Sequence, residues 1–134
     1  MTLRLLDTDL SSYVIRRRPM VVAERFEKHA QELCVSVITA AELRFGAEKA
    51  GRPALSDLVE TYLARVAILD WTNAVTFHYA RIRTALERVG TPIGNLDLLI
   101  AAHALAEEAI IVTNNIAHFA AMPGLTVENW AEAK

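Results

Sequence analysis

The 134-residue sequence predicts one α/β domain with a parallel sheet covered by helices on both faces. Short apolar runs rich in branched side chains alternate with longer stretches of helical periodicity, which is typical of strands joined by crossover helices. The composition is 53% hydrophobic and 22% charged, an ordinary globular balance. Four Pro and five Gly are scattered and form no linker. We therefore expect a single domain over residues 1–134.

The first half of the chain begins with an apolar run, LRLL, and contains a second, LCVSVI, that is rich in β-branched residues. Amphipathic stretches follow each run, and the turn Gly51-Arg52-Pro53 ends one of them. The predicted elements are, in order, a strand at 3–6, helices at 11–17 and 21–31, a strand at 33–38, and helices at 40–48 and 55–65.

The second half repeats the alternation. The long helical pattern before Gly90 ends at that residue, and AIIVTN is a β-branched run bounded by polar residues. The predicted elements are a strand at 66–71, helices at 74–89 and 96–108, and strands at 109–114 and 125–130.

Charge and apolar patterning exclude several classes of protein. The net charge of -2 gives no overall basic footprint for nucleic acid. The apolar stretch Leu98–Val112 is interrupted by charged residues and is too short to span a bilayer, and Asp7 and Asp9 interrupt any signal-peptide core. The single cysteine, Cys34, lies in an apolar run and is expected to be a packed core thiol. We expect a soluble, cytoplasmic protein.

Polar residues follow the predicted strands where a parallel sheet places ligands. Asp7 follows the first strand, Glu42 begins the helix after the second, Asp97 begins the helix before the fourth, and Asn115 follows that strand. Two carboxylates about 5 Å apart repel by roughly 3 kcal/mol at an effective dielectric of ~20. Because Mg²⁺ or Mn²⁺ would remove this repulsion, the pattern favours a divalent cation site.

Each acid also has a purely structural explanation. Thr39 and Glu42 have the spacing of a capping box. Asp7 is placed to cap the helix around 11–17, and Asp97 to complement a helix dipole in a helix that Asn95 begins. Taken singly, these explanations are at least as good as the metal site, and only convergence of the acids distinguishes them.

Several segments in order resemble the PIN-domain toxins of the VapC type. They are LLDTD, SVITAAELRFGA, GTPIGNLDLLIAAHAL and IIVTNNIAHF with GLTVENW, and together they extend over residues 3 to about 130. The resemblance implies an α/β/α sandwich with a mostly parallel sheet. It also implies a Mg²⁺- or Mn²⁺-dependent endoribonuclease, neutralised by a VapB-type antitoxin and commonly a homodimer. Many such proteins cut a tRNA in its anticodon region, and the most similar ones include some that cut initiator tRNA.

The resemblance also implies roles for individual residues. Asp7 and Asp97 match the metal-holding acids, and Glu42 matches the acid of the EL.fG segment. The position of Asn115 is often Asp in the family, so this chain lacks one charge there and is expected to bind one metal firmly. Asp9 is either a further carboxylate ligand or a solvated turn residue, and the second explanation is favoured.

Further residues are expected around this centre. Thr8 and Thr113 are candidates for hydrogen bonds that fix the ligands. Among histidines, His103 is expected in the core. His118, three residues past Asn115, could approach the site, but a loop position without a role is favoured. Arginines could meet RNA phosphates, but for the run at 16–18 a solvated helix face is favoured, and those at 44, 81 and 83 could instead touch the tail of an antitoxin. The candidates are Arg16, Arg17, Arg18, Arg44, Arg81 and Arg83.

Two other functions compete with a ribonuclease. Asp7-Thr8-Asp9 after a strand has the DxD arrangement of phosphatases that form an aspartyl phosphate, but Ser11 stands where such enzymes have Thr or Val, and no Lys lies between Lys49 and Lys134. An inactive PIN-like domain could instead serve as a binding or corepressor module. The presence of all three acids argues against such an inactive site.

Overall fold

The computed structural model describes residues 2–91 and 93–131; the predicted domain ends, residues 1 and 134, lie outside the described residues. Its centre is a parallel sheet in the order β3-β2-β1-β4-β5. The strands are β1 (Arg4–Leu6), β2 (Leu33–Ser36), β3 (Ala67–Leu69), β4 (Ile110–Val112) and β5 (Val127–Glu128). The predicted α/β fold class is confirmed, and each predicted strand is present in shorter form.

Helices connect the strands and cover the sheet. They are α1 (Thr8–Arg16), α2 (Met20–Lys28), α3 (Val37–Ala50), α4 (Pro53–Leu63), α5 (Asn73–Arg88), α6 (Asn95–Ala106) and α7 (Ile116–Phe119), with a 3-10 turn at Ala30–Glu32. All predicted helices are present, and α7 is additional. No helix within the described ranges is long and apolar enough to cross a membrane.

Two hydrophobic layers lie on opposite faces of the sheet because side chains alternate along each strand. Leu5 packs with Ile100 and α5–α6 residues on one face, and the next residue, Leu6, packs with α1, α2 and α4 on the other. Cys34 is fully buried, as predicted, and burial raises the pKa of its thiol to about 12.

Two predicted helix starts are wrong. Helix α3 begins at Val37 because the Ser36 hydroxyl accepts the N–H of Ile38 and caps the helix there. The predicted capping box between Thr39 and Glu42 therefore does not form, since Thr39 already lies inside the helix. Helix α6 is capped by the backbone of Gly94, and Asn95 makes no capping hydrogen bond.

Candidate active site

Asp7 lies at the carboxyl end of β1 and caps α1. Its Oδ1 accepts the N–H of Leu10 at 2.8 Å, and its Oδ2 accepts the hydroxyl proton of Thr113. The residue is 2% exposed. Burial raises the pKa of Asp7 to about 7, against these two hydrogen bonds, and the charges of Asp9 and Asp97 raise it further. The predicted capping role is confirmed, yet the cap alone leaves the buried charge uncompensated.

A chain of hydrogen bonds runs from Asp7 to Asp97. Thr113 donates to Asp7 and accepts the backbone N–H of Asn115 at 2.8 Å, as predicted for a residue that fixes a ligand. The Asn115 amide lies 3.0 Å from Nδ1 of His118, and the same nitrogen lies 3.1 Å from Oδ2 of Asp97. The ends of β1 and β4 and the start of α6 thus meet at one edge of the sheet.

Glu42 joins this edge through Thr8. The Thr8 hydroxyl donates to Oε1 of Glu42 at 2.6 Å, so its oxygen accepts from Thr39, 3.1 Å away. Because Thr8 directly follows Asp7, the hydrogen bond fixes α3 against the start of α1. The four polar residues of the predicted site, Asp7, Glu42, Asp97 and Asn115, are therefore linked through neighbouring side chains.

A cleft of about 510 Å³ opens beside Glu42 between α1, α3 and α4. Its walls are partly apolar, and its polar end holds Thr8, Asp9 and Glu42. Arg16 also lines the cleft, where its guanidinium lies 5.0 Å from the centre of the Tyr13 ring. Among the predicted RNA-contacting arginines, Arg16 thus lines the same cleft as Asp9 and Glu42.

The other arginines lie elsewhere. Arg17 ends α1 in the left-handed conformation with φ 57°, so the run at 16–18 does not continue as one helix face. Arg44 makes a two-bond ion pair with Glu60 on the surface, and Arg83 pairs with Glu87. The last two candidates, Arg18 and Arg81, are exposed.

The donor chemistry of the site fits a hard cation. Asp7 and Asp97 offer carboxylate oxygens, and the contacts of the buried Asp7 include no cationic side chain. In residues 2–91 and 93–131 no three His, Cys, Asp or Glu side chains are grouped to hold one ion. Since Mg²⁺ keeps several waters and is usually bound through one or two carboxylates, a two-acid site agrees with both observations.

Two histidines lie at positions that can be compared with the sequence predictions. His103 is fully buried, as predicted, with Nδ1 2.8 Å from the Ser36 hydroxyl; burial lowers its pKa. The favoured loop position of His118 is wrong, because the residue lies on α7; its contact with Asp97 shows that it approaches the site, which was the alternative. The signal available in the sequence was its position three residues after Asn115, the spacing of neighbours on a helix.

Comparisons with known proteins show the family of the chain. The PIN domain family matches residues 4–125. Ribonuclease VapC2 of Haemophilus influenzae is 42% identical over 127 residues, covering 94% of this chain and 96% of that protein. The tRNA(fMet)-specific endonuclease VapC of Salmonella typhimurium is 37% identical over 127 residues, which again cover 94% of this chain and 96% of that protein.

Solved structures give the same result. VapBC2 from Rickettsia felis, bound to a DNA fragment from its promoter, superposes with a TM-score of 0.91 at 38% identity, covering 96% of this chain and 99% of that one. DNA-bound VapBC from Salmonella typhimurium superposes with a TM-score of 0.92 at 37% identity, covering 97% and 99%. The chain belongs to the PIN-domain family and, within it, to the VapC ribonucleases.

Proposed function

We propose that this chain is a metal-dependent endoribonuclease toxin that hydrolyses phosphodiester bonds in RNA and so inhibits translation. The observation that carries the proposal is that Asp7 and Asp97 are joined by side-chain contacts through Thr113, Asn115 and His118, while Glu42 is bonded to Thr8, the residue after Asp7. The identity to named VapC ribonucleases supports the reaction class. The DxD phosphatase alternative is not favoured, because Asp9 lies exposed on α1 and the named relatives are ribonucleases.

Asp7 and Asp97 are the residues proposed to hold Mg²⁺ or Mn²⁺, with Glu42 beside them. When bound, such an ion polarises a phosphate oxygen and lowers the pKa of a coordinated water. Thr113 and the Leu10 N–H hold the Asp7 carboxylate, and His118 holds Asp97, so that neither acid must reorganise to bind the ion.

Glu42 is the proposed proton acceptor. Thr8 occupies its Oε1, while its Oε2 makes no hydrogen bond with the part of the chain that the structure describes. The oxygen of a water forms a bond to phosphorus, the bond from phosphorus to O3′ breaks, and the water's proton passes to Glu42. Solvent protonates the departing O3′. The products carry 5′-phosphate and 3′-hydroxyl ends, whereas 2′,3′-cyclic phosphate ends would contradict this scheme.

The proposed substrate is a tRNA anticodon region, and initiator tRNA is the first candidate. Its support is the 37% identity to the tRNA(fMet)-specific endonuclease of Salmonella typhimurium. Arg16 beside the cleft is the best-placed arginine for a phosphate, and Tyr13 beneath it offers an aromatic face for an unstacked base of a loop.

The proposed protein partner is a VapB-type antitoxin, since the structural neighbours are toxin–antitoxin complexes. Glu42 and Asp9 line the cleft between α1, α3 and α4, so a segment lying there would cover Glu42. Homodimer formation within such a complex and a cytoplasmic location stay predictions.

Incubating the purified chain with initiator tRNA tests the proposal. We expect cleavage in the anticodon region with Mg²⁺ or Mn²⁺, none with excess EDTA, and none with the Asp97→Asn variant. A chain that folds and binds RNA but leaves it intact with either ion would instead support the inactive binding module. Cleavage that continues in EDTA would refute the metal-dependent reaction.

A further inference from the structure

Nδ1 of His118 lies between two side chains of the active site. It is 3.1 Å from Oδ2 of Asp97 and 3.0 Å from the amide nitrogen of Asn115. An uncharged imidazole nitrogen either carries a proton or has a free lone pair, so it cannot both donate to a carboxylate and accept from an amide N–H. When Nδ1 of His118 donates to Asp97, Asn115 must therefore turn an atom other than its nitrogen toward His118.

The contact with Asp97 decides which atom this is. An ionised carboxylate can only accept, so Nδ1 of His118 carries the proton that it donates to Asp97. A second partner of that N–H group must also be an acceptor. A half-turn of the Asn115 carboxamide exchanges its oxygen and nitrogen without changing its shape, and it brings the oxygen to His118.

The position of Asn115 supports a role outside the helix that it precedes. An asparagine at the residue before a helix usually caps it by accepting a backbone N–H with its side chain. The Asn115 side chain makes no such bond to α7. Its backbone N–H is held by Thr113, and its carbonyl accepts the N–H of His118. Both backbone groups of Asn115 are therefore held in hydrogen bonds, while its side-chain carboxamide contacts His118 in the active site.

We propose that His118 orients Asn115 so that its NH₂ group faces the open side of the site and donates to a phosphate oxygen of bound RNA. The inference rests on the proposed ribonuclease function. Asn115 then does not ligate the metal, because an amide nitrogen that carries two protons has no lone pair available for an ion. The branch turned away from His118 makes no hydrogen bond with residues 2–91 or 93–131, so it is available to the substrate. His118 is a positioning residue in this account.

The tautomer of His118 is a direct test that does not depend on activity. Nitrogen-15 NMR of the metal-free protein, at a pH where the ring is uncharged, distinguishes a proton on Nδ1 from one on Nε2. We expect the Nδ1–H form for His118. A ring protonated only at Nε2 would overturn the proposal, since its Nδ1 would then accept from the Asn115 amide.

Two affinities separate a phosphate donor from a metal ligand. Calorimetry with Mn²⁺ measures the first, and binding of an initiator-tRNA anticodon stem-loop, with Ca²⁺ replacing the active ion, measures the second. We expect Asn115→Ala to weaken RNA binding by about tenfold or more and to leave Mn²⁺ affinity within about twofold. Asn73→Ala, at an exposed position at the start of α5, is the matched control and should change neither. Weaker Mn²⁺ binding with unchanged RNA binding would overturn the proposal.

Substitutions of His118 test the positioning role. In His118→Asn the side-chain NH₂ group can stand where Nδ1–H stood and donate to both neighbours, so RNA affinity should be largely kept. His118→Phe removes the donor to Asn115 and to Asp97, so we expect a loss of RNA affinity at least as large as in Asn115→Ala, and adding Asn115→Ala to His118→Phe should cause no further loss. Additive losses would overturn the proposal.

The outcomes also distinguish this inference from the proposed function. If the wild-type chain neither binds nor cleaves RNA, the proposed function fails, whereas the Nδ1–H signal would still show that His118 carries the proton on the nitrogen facing Asp97. If the wild type binds and cleaves RNA and Asn115→Ala does so equally well, only the present inference fails.

Discussion

Thr113 donates its hydroxyl proton to Oδ2 of Asp7, although 106 residues separate the two in the chain. The same hydroxyl oxygen accepts the backbone N–H of Asn115. One buried side chain therefore holds the carboxylate at the end of β1 and the loop that follows β4.

Replacing Thr113 tests this double role. Thr113→Val keeps the shape of the side chain but leaves the buried Asp7 without one donor and the Asn115 N–H without its acceptor. We expect a loss of about 1–3 kcal/mol in the free energy of unfolding, measured in urea, and weaker Mn²⁺ binding. Thr126→Val, at an exposed position, is the control and should stay within about 0.5 kcal/mol of wild type. Equal stability of the two variants would contradict the role given to Thr113.

Asp7→Asn tests the uncompensated charge. Because the folded-state pKa of Asp7 is raised from 3.8 to about 7, the folded protein prefers the protonated acid, and its stability falls as pH rises between these values. The asparagine variant does not suffer this loss. In EDTA we expect the difference in unfolding free energy between the variant and wild type to increase by at most roughly 4 kcal/mol from pH 4 to pH 7. Above pH 7 this difference should stay constant. A difference independent of pH would show that Asp7 is not a destabilising charge.

His103 should act in the opposite direction. Burial lowers its pKa below 6.5, so the unfolded chain binds the proton more tightly and acid destabilises the fold. The contribution of the neutral ring is present above pH 6.5 and is lost as the pH falls below it. Urea unfolding at pH 5, 6 and 7 should therefore give a smaller acid-induced loss for His103→Leu than for wild type. Parallel pH profiles for the two proteins would rule out this titration.

Arg16 and Arg44 form a matched pair for RNA binding. Arg16 lies on the cleft beside the acids, whereas the charge of Arg44 is engaged by Glu60. We expect Arg16→Ala to weaken binding of the anticodon stem-loop and to reduce the slope of log affinity against log salt by about 1. Arg44→Ala should leave both quantities unchanged. The reverse result would move the RNA path from the cleft to the outer face of α3.

The fold class could be predicted from the sequence, and so could the placement of Asp7, Asn115 and Asp97 at one edge of the sheet, since carboxyl ends of parallel strands meet there. The first residues of the helices were harder to predict from the sequence. Val37 and Ile38 are β-branched and extend the strand pattern of LCVSVI, yet the Ser36 hydroxyl begins α3 before them. A single side-chain hydrogen bond overrode the local preference there.

The contacts within the site could also not be predicted from the sequence pattern. Nothing in the spacing of Thr8 and Glu42 shows that one hydroxyl joins them, because the contact depends on how α1 and α3 cross. The helix that carries His118 is not predictable from the sequence, because α7 is one short turn without an apolar pattern of its own. Its contact with Asp97 arises from the packing of distant segments.

The central claim is tested most directly by expressing the wild-type chain and Asp97→Asn without an antitoxin and sequencing the 5′ ends of cellular RNA. We predict that the wild type stops growth and creates new 5′-phosphate ends within one anticodon region, and that Asp97→Asn does neither. If both chains are produced in folded form and leave growth and RNA unchanged, the ribonuclease assignment is wrong, and Asp97 serves only as a first-turn acid of α6.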